Sequence, residues 1–188
     1  MITDTTKLVG NNHYLGNPHV KKDGIEEDWE PEKVQEYAKC MANPAFFAKN
    51  HIKIINLNDG LVPFDLYPYQ EDMFDHFKNN RFSVLLACRQ SGKSISSLAF
   101  LLWYALFNPE QTIAVLANRG ATSREMLGRI TLMLENLPFY LQPGCKTLNK
   151  TSIEFSNNSR IIAESTSSSS IRGFSVNLLF LDEFAFVE

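Results

Sequence analysis

The stretch Ala87-Cys88-Arg89-Gln90-Ser91-Gly92-Lys93-Ser94 lies between two apolar runs, Phe82 to Leu86 before it and Ile95 to Phe107 after it. Strand, tight loop ending in Gly-Lys-Ser, then helix is the order of a P-loop. No other feature constrains the fold as much, because this one fixes a strand, a turn and a helix in sequence. Each residue type has a chemical reason. Loop N–H groups from Arg89, Gln90 and Ser91, with those of the helix start, can cradle the phosphates of a nucleotide. Gly92 lets the backbone come close where a Cβ would obstruct it. Lys93 reaches the β and γ phosphates, and the Ser94 hydroxyl holds Mg²⁺. The first position is Ala87 rather than Gly, so the match is to the looser form of the motif. The plain alternative is a surface turn before a core helix; the flanking strand and helix argue against it.

A second feature supports the first. In Asn177-Leu178-Leu179-Phe180-Leu181-Asp182-Glu183, four consecutive apolar residues run into paired carboxylates. That is the pattern of a Walker B strand, and the apolar run predicts a place in the centre of a sheet. Asp182 at its carboxyl end would hold the Mg²⁺ shell opposite Ser94. Glu183 would face the γ-phosphate and polarise an attacking water as general base. An Asp-Glu pair favours ATP hydrolysis over a GTPase design, in which a Gln positions the water.

The third feature precedes the loop, in Leu66-Tyr67-Pro68-Tyr69-Gln70-Glu71-Asp72-Met73-Phe74. Pro68 opens a helix with Met73, Phe74 and Phe77 as its apolar stripe. Gln70 falls in the first turn. Its amide offers both a donor and acceptors, the complement of an adenine edge. Tyr67 or Tyr69 would pack on the base. Two arginines are candidates for stabilising charge on the transferring phosphoryl group: Arg89 inside the loop, and Arg172 just before the Walker B strand. Arg119 follows another strand and is equally suited to DNA or solvent.

The remaining chain reads as alternating strands and helices. Residues 1–30 are polar and expected to form a flexible arm. Pro31 begins a helix with Val34, Tyr37, Ala38 and Met41 on its inner face. Asn43-Pro44 starts a short helix carrying Phe46, Phe47 and His51 inward. Lys53 to Leu57 and Leu61 to Phe64 flank the turn Asn58-Asp59-Gly60 as a hairpin. Thr112 to Ala117 is a buried parallel strand. Thr122 or Ser123 caps a helix with Met126, Leu127, Ile130, Met133 and Leu134 at helical spacing. Thr151 to Phe155 and Arg160 to Glu164 pair as a second hairpin. The prediction is an α/β fold, a P-loop NTPase with a largely parallel central sheet flanked by helices, of the additional-strand, catalytic-glutamate type.

Composition excludes several other classes. The chain has 188 residues and a net charge of −3, so it carries no global basic footprint for nucleic acid. A local surface suffices for a motor. Cys40, Cys88 and Cys145 are odd in number and far apart, with neither a disulfide nor a zinc pattern. The four histidines show no metal spacing along the sequence and read as ordinary surface or satisfied residues. Free thiols suit a reducing cytoplasm. No signal peptide is evident, and the longest apolar stretch is too short to span a bilayer.

Taken together, the chain resembles the N-terminal ATPase part of the large terminase subunit of T4-like tailed phages. The resemblance rests on Leu-Tyr-Pro-Tyr-Gln-Glu-Asp-Met at 66–73, Arg-Gln-Ser-Gly-Lys-Ser at 89–94, Ala-Asn-Arg-Gly at 117–120, Ile-Arg-Gly at 171–173 and Leu-Phe-Leu-Asp-Glu-Phe-Ala-Phe at 179–186. It extends from about residue 30 to the end. An arginine inside the phosphate loop and a missing first glycine are habits of that family. The resemblance implies a motor that uses ATP and Mg²⁺ to package double-stranded viral DNA into a procapsid. It also implies portal protein and small terminase subunit as partners, homo-oligomerisation on the portal, and a place in the host cytoplasm, transiently docked on the procapsid and absent from the mature virion. The family continues past Walker B with a coupling motif, further strands and a nuclease domain. Here the sequence stops at Glu188 with no later acid cluster, so residues 31–188 are expected to be a C-terminally truncated ATPase domain that does not cut DNA. The alternatives are a superfamily 2 helicase-like ATPase, which shares the Gln element, P-loop and Asp-Glu strand, and a non-hydrolysing nucleotide- or portal-binding module. A sheet lacking its later strands would expose an apolar edge. The chain alone is therefore expected to hydrolyse ATP poorly and to aggregate; robust DNA-stimulated turnover by the purified 188-residue chain would overturn this.

Overall fold

A computed structural model describes residues 12–166, 173 and 175–182. Its elements follow from the apolar pattern. Helices α1 (Pro31–Ala42), α2 (Pro44–His51), α3 (Pro68–Asn79), α4 (Lys93–Phe107) and α5 (Gly120–Glu135) all form. Pro31, Pro44 and Pro68 each occupy the first helical turn, where a missing N–H costs nothing. Asn43 serves two helices. Its N–H donates to Lys39 O, closing α1, and its Oδ1 accepts from Phe46 N–H at 3.0 Å, opening α2.

Helix α4 is the centre of packing. Leu98, Ala99, Phe100, Leu101, Leu102, Trp103, Ala105 and Leu106 are all buried. A helix apolar on every side must be covered on every side. It packs against α2, α3, α5 and strand β5 (Thr112–Ala117). Ser96 and Ser97 are buried within it. Their hydroxyls donate one turn back, to Gly92 O at 3.0 Å and Lys93 O at 2.9 Å, which removes the penalty of burying them.

Strand β5 is buried at every residue. It lies between β8 (Arg160–Ser165) and β9 (Leu178–Leu181), parallel to both. Strands β6 (Cys145–Leu148) and β7 (Ser152–Phe155) extend the other side antiparallel, giving a five-stranded mixed sheet in the order β6-β7-β8-β5-β9. The expected second hairpin is β7–β8. The first, β3 (Lys53–Asn56) with β4 (Gly60–Pro63), pairs in one uninterrupted register. The predicted core residues of α5, from Met126 to Leu134, are all buried.

Several expectations change. Phe82 to Leu86 does not enter the sheet: the run is irregular, with Phe82 82%, Val84 98% and Leu86 97% exposed. Both sides of β5 are taken by β8 and β9, and the run makes no ladder with any described strand. Among the described residues β9 is an edge strand rather than a central one, and Leu179 is half exposed. The sheet is mixed, with its parallel part confined to β8, β5 and β9. Helix α5 has Arg119 at its N-cap, with no side-chain cap; the Ser123 hydroxyl donates to Gly120 O instead. Residues expected in a flexible arm build β1 (His13–Tyr14) and β2 (Asn17–Lys21), and Val20 is completely buried. Helix α1 turns Lys33, Glu36, Tyr37 and Cys40 inward, while Val34 and Met41 stay half exposed. The polar members of that face meet partners: Lys33 pairs with Glu27, and Glu36 with His51. Apolarity alone therefore misjudged the face.

The early strands are held by one buried amide. Gln142 Oε1 accepts from Lys21 N–H at 2.9 Å, and its Nε2 donates to Leu137 O at 2.8 Å, His19 O at 3.0 Å and Leu134 O at 3.1 Å. Gly144 permits the same approach, since a Cβ there would sit 2.6 Å from Asp23 Cα. Replacing Gln142 by Leu leaves buried backbone groups unpaired. The Gln142→Leu chain should lose about 1–3 kcal/mol of stability in urea unfolding, with the Lys21 amide proton losing exchange protection.

Candidate functional site

The residues of the Gly-Lys-Ser stretch before Lys93 form an exposed turn at the head of α4. Gln90 has φ 62° and Gly92 φ 77°. Gly92 is the N-cap of α4 in a left-handed conformation, which glycine adopts without steric cost. A Cβ there would stand 2.5 Å from Gln70 Nε2, so the Gln70 amide would have to shift to admit a side chain. The left-handed backbone is the constraint that favours glycine here. The loop is tied internally, with Ser91 Oγ donating to Cys88 O at 2.9 Å and Lys93 Nζ donating to the same oxygen at 3.5 Å. The Tyr69 hydroxyl donates to Ser91 O.

Gln70, the candidate for reading an adenine edge, is buried at the start of α3 beside the loop. It is 2% exposed. Its Oε1 accepts from Tyr67 N–H at 2.9 Å, closing the first turn of α3, while its Nε2 faces Gly92. Gln70 therefore braces α3 against the loop. The exposed surface beside the loop belongs to Tyr67 and Tyr69, whose rings stack at 5.8 Å and 8°. They line a groove with Ala87, Cys88 and Ser91. An aromatic pair beside a phosphate-type loop can take a flat ring on its face. Nearness to Gln70 in the sequence singled out both tyrosines but could not show that they stack.

Connectivity brings the second motif to the same end of the layers. Helix α4 has 15 residues and so runs about 22 Å. It returns through residues 108–111 to β5, whose six residues cover about 20 Å in the opposite direction. The start of α4 therefore lies toward the carboxyl end of β5. Asp182 reaches that end too, its N–H donating to Leu116 O at 3.0 Å. Thr166 N–H donates to Ala117 O there at 3.0 Å. Ser94 and Asp182 are half-buried, and Arg89 and Arg119 are exposed. Glu183 and Arg172 lie outside the described residues.

One grouping had no signal along the sequence. Glu36, Cys40 and His51 bring their ligand-capable atoms within 4.8 Å of one another. The helical step from 36 to 40 was visible, but His51 arrives only through the α1–α2 corner. Burial pushes the Cys40 and Cys145 thiols each up to about 12, with the Glu36 carboxylate adding to the effect on Cys40. Cys88 is exposed.

Two comparisons bear on this arrangement. The family model described as terminase large subunit, T4likevirus-type, N-terminal, matches residues 84–188, more than half of the chain. Among solved structures, the HK97 bacteriophage large terminase superposes with a TM-score of 0.63 at 19% identity, over 79% of this chain and 32% of that one. At that identity the likeness speaks for the fold. The molecule is thus a mixed α/β protein built on a five-stranded sheet like that of a phage large terminase. The chain belongs to the T4-like terminase large subunit family, in its N-terminal part. It spans 32% of the length of the HK97 protein that it matches.

The thiolate is the reactive form of cysteine, and burial suppresses it. A thiol-specific disulfide reagent at neutral pH should therefore label Cys88 quickly and Cys40 and Cys145 only on unfolding. Peptide mapping of the labelled chain checks this; fast labelling of either buried thiol would contradict the packing.

Proposed function

We propose that this chain is the nucleotide-handling part of a motor that uses ATP to move double-stranded viral DNA into a procapsid. The observation that carries the reading is Gly92. It is held left-handed at the head of α4, where a Cβ would crowd the Gln70 amide. That leaves the following Lys93 and Ser94 in the first turn of a helix whose N–H groups and dipole favour an anion. The cradle fits a nucleotide's phosphates. Lys93 would neutralise the β and γ phosphates, and Ser94 with Asp182 would hold Mg²⁺. Tyr67 and Tyr69 would pack on the base. When bound, Mg²⁺ neutralises charge on the phosphates. Glu183 is assigned the general-base role on water, and Arg89 or Arg172 the stabilisation of the transferring group's charge.

Membership of the terminase family supports the packaging role. In the whole protein, the partners we assign are double-stranded DNA, the portal, the small terminase subunit and further copies of the chain on the portal. The assigned setting is the host cytoplasm, on the procapsid. Among the described residues no helix is long and apolar enough to cross a membrane. A second reading is a module that binds nucleotide or portal without turnover. It is favoured by Phe82 to Leu86, which stands outside the sheet and so leaves the loop anchored on one side only.

Binding and hydrolysis must be measured separately. Lys93→Ala removes charge-assisted contacts of about 1.5–3 kcal/mol, so ATP binding should weaken roughly 10- to 100-fold. Glu183→Gln should leave binding intact and cut turnover by about 100- to 10,000-fold, the usual contribution of a general base. Unchanged ATP affinity in Lys93→Ala would sink the assignment of the loop. Binding without any wild-type turnover would select the second reading.

A further inference from the structure

We propose that Glu36, Cys40 and His51 form a zinc site that clamps the α1–α2 corner, separate from the phosphate loop. The three side chains come from two elements that other contacts hold in place. Glu36 and Cys40 are one helical turn apart on the inward face of α1, and side chains four apart lie side by side. His51 is the last residue of α2, and Asn43 fixes the corner between the helices by ending one and capping the other. Cys40 is anchored further by its own carbonyl, which accepts from Trp103 Nε1 of α4 at 2.8 Å.

The dimensions suit a small divalent ion. The ligand-capable atoms lie within 4.8 Å of one another, and His51 Nε2 and Glu36 Oε1 are 2.8 Å apart. Tetrahedral zinc, with bonds of roughly 2.0–2.3 Å, holds its ligand atoms about 3.3–3.8 Å apart. The His–Glu pair must therefore open by about half an ångström and the widest pair close by about one. Side-chain torsions can supply both without moving either helix.

The chemistry is selective as well. A thiolate, an imidazole and a carboxylate together suit zinc and disfavour magnesium or calcium, which prefer oxygen ligands alone. Charge also balances, because a divalent ion neutralises one carboxylate and one thiolate where Cys40 is fully buried. On binding, the Cys40 S–H proton leaves to solvent and the sulfur forms the metal bond. Water completes the fourth position. Lys39 Nζ lies 3.7 Å from the other carboxylate oxygen of Glu36, on the solvent side of the cluster. A metal here would tie α1 and α2 together at the end of α2, so its effect would be on the stability of this layer. It would owe nothing to the nucleotide.

The experiment uses the full 188-residue chain carrying Cys88→Ser, so that its exposed thiol is removed and both buried ones stay. After loading with Zn²⁺ and dialysis against metal-free buffer, about one zinc per chain should remain. The Co²⁺ form should show the intense ultraviolet charge-transfer band of a thiolate ligand. His51→Gln in the same background should weaken Co²⁺ binding by 10-fold or more, and Zn²⁺ should raise the melting temperature of the parent but not of this variant. Far less than one retained zinc, Co²⁺ bound without a thiolate band, or equal affinity in His51→Gln would each overturn the site. Because Cys40 and Cys145 are both kept, no result depends on a cysteine variant at the core folding correctly. Because ATP is not involved, failure here would leave the nucleotide reading untouched.

Discussion

Leu98, Leu102 and the other buried residues of α4 leave that helix no face for solvent, and the rest of the chain is arranged to satisfy this. Helices α2 and α3 cover one side of it, and α5 with β5 covers another. The helix begins at Gly92, whose left-handed backbone turns the chain from an exposed loop into a buried helix within one residue. Gln70 fixes that turn from α3. The same contacts that bury the core therefore decide where the loop N–H groups stand. A substitution at Gly92 or Gln70 acts on packing and on the site together.

The arrangement also explains why both motifs reach one end of the layers. A helix and a strand of nearly equal length, joined by residues 108–111, return the chain to its starting level. Parallel pairing of β9 with β5 then delivers Asp182 to that level, with its N–H on Leu116 O. Among the described residues, the free side of β9 and the exposed run Phe82 to Leu86 leave apolar chain uncovered beside the sheet. Both can accept further strands, and both are hazards while uncovered.

Local rules located most elements. Prolines 31, 44 and 68 opened helices where expected, and the spacing from Met126 to Leu134 gave the buried face of α5. The misses share a cause. Phe82 to Leu86 has a strand's composition, but a strand exists only where a neighbour supplies hydrogen bonds, and composition does not count neighbours. The inner face of α1 was misjudged because its polar residues find partners 6 to 15 positions away, Lys33 with Glu27 and Glu36 with His51. Val20 was assigned to an arm because its burial depends on Gln142, more than a hundred residues later, reaching back to Lys21 and His19.

The sequence by itself determined the five helices, most of the strands, and the family. All three reside in residue types at fixed short spacings, which survive without knowledge of the fold. Tertiary structure alone decided that Gln70 is buried against Gly92, that Tyr67 and Tyr69 stack, that β9 borders the sheet of described strands, and that His51 meets Glu36 and Cys40. Each of these depends on which distant segments share space. That is settled by the covering of α4 and the pairing of β5, and by no spacing along the chain.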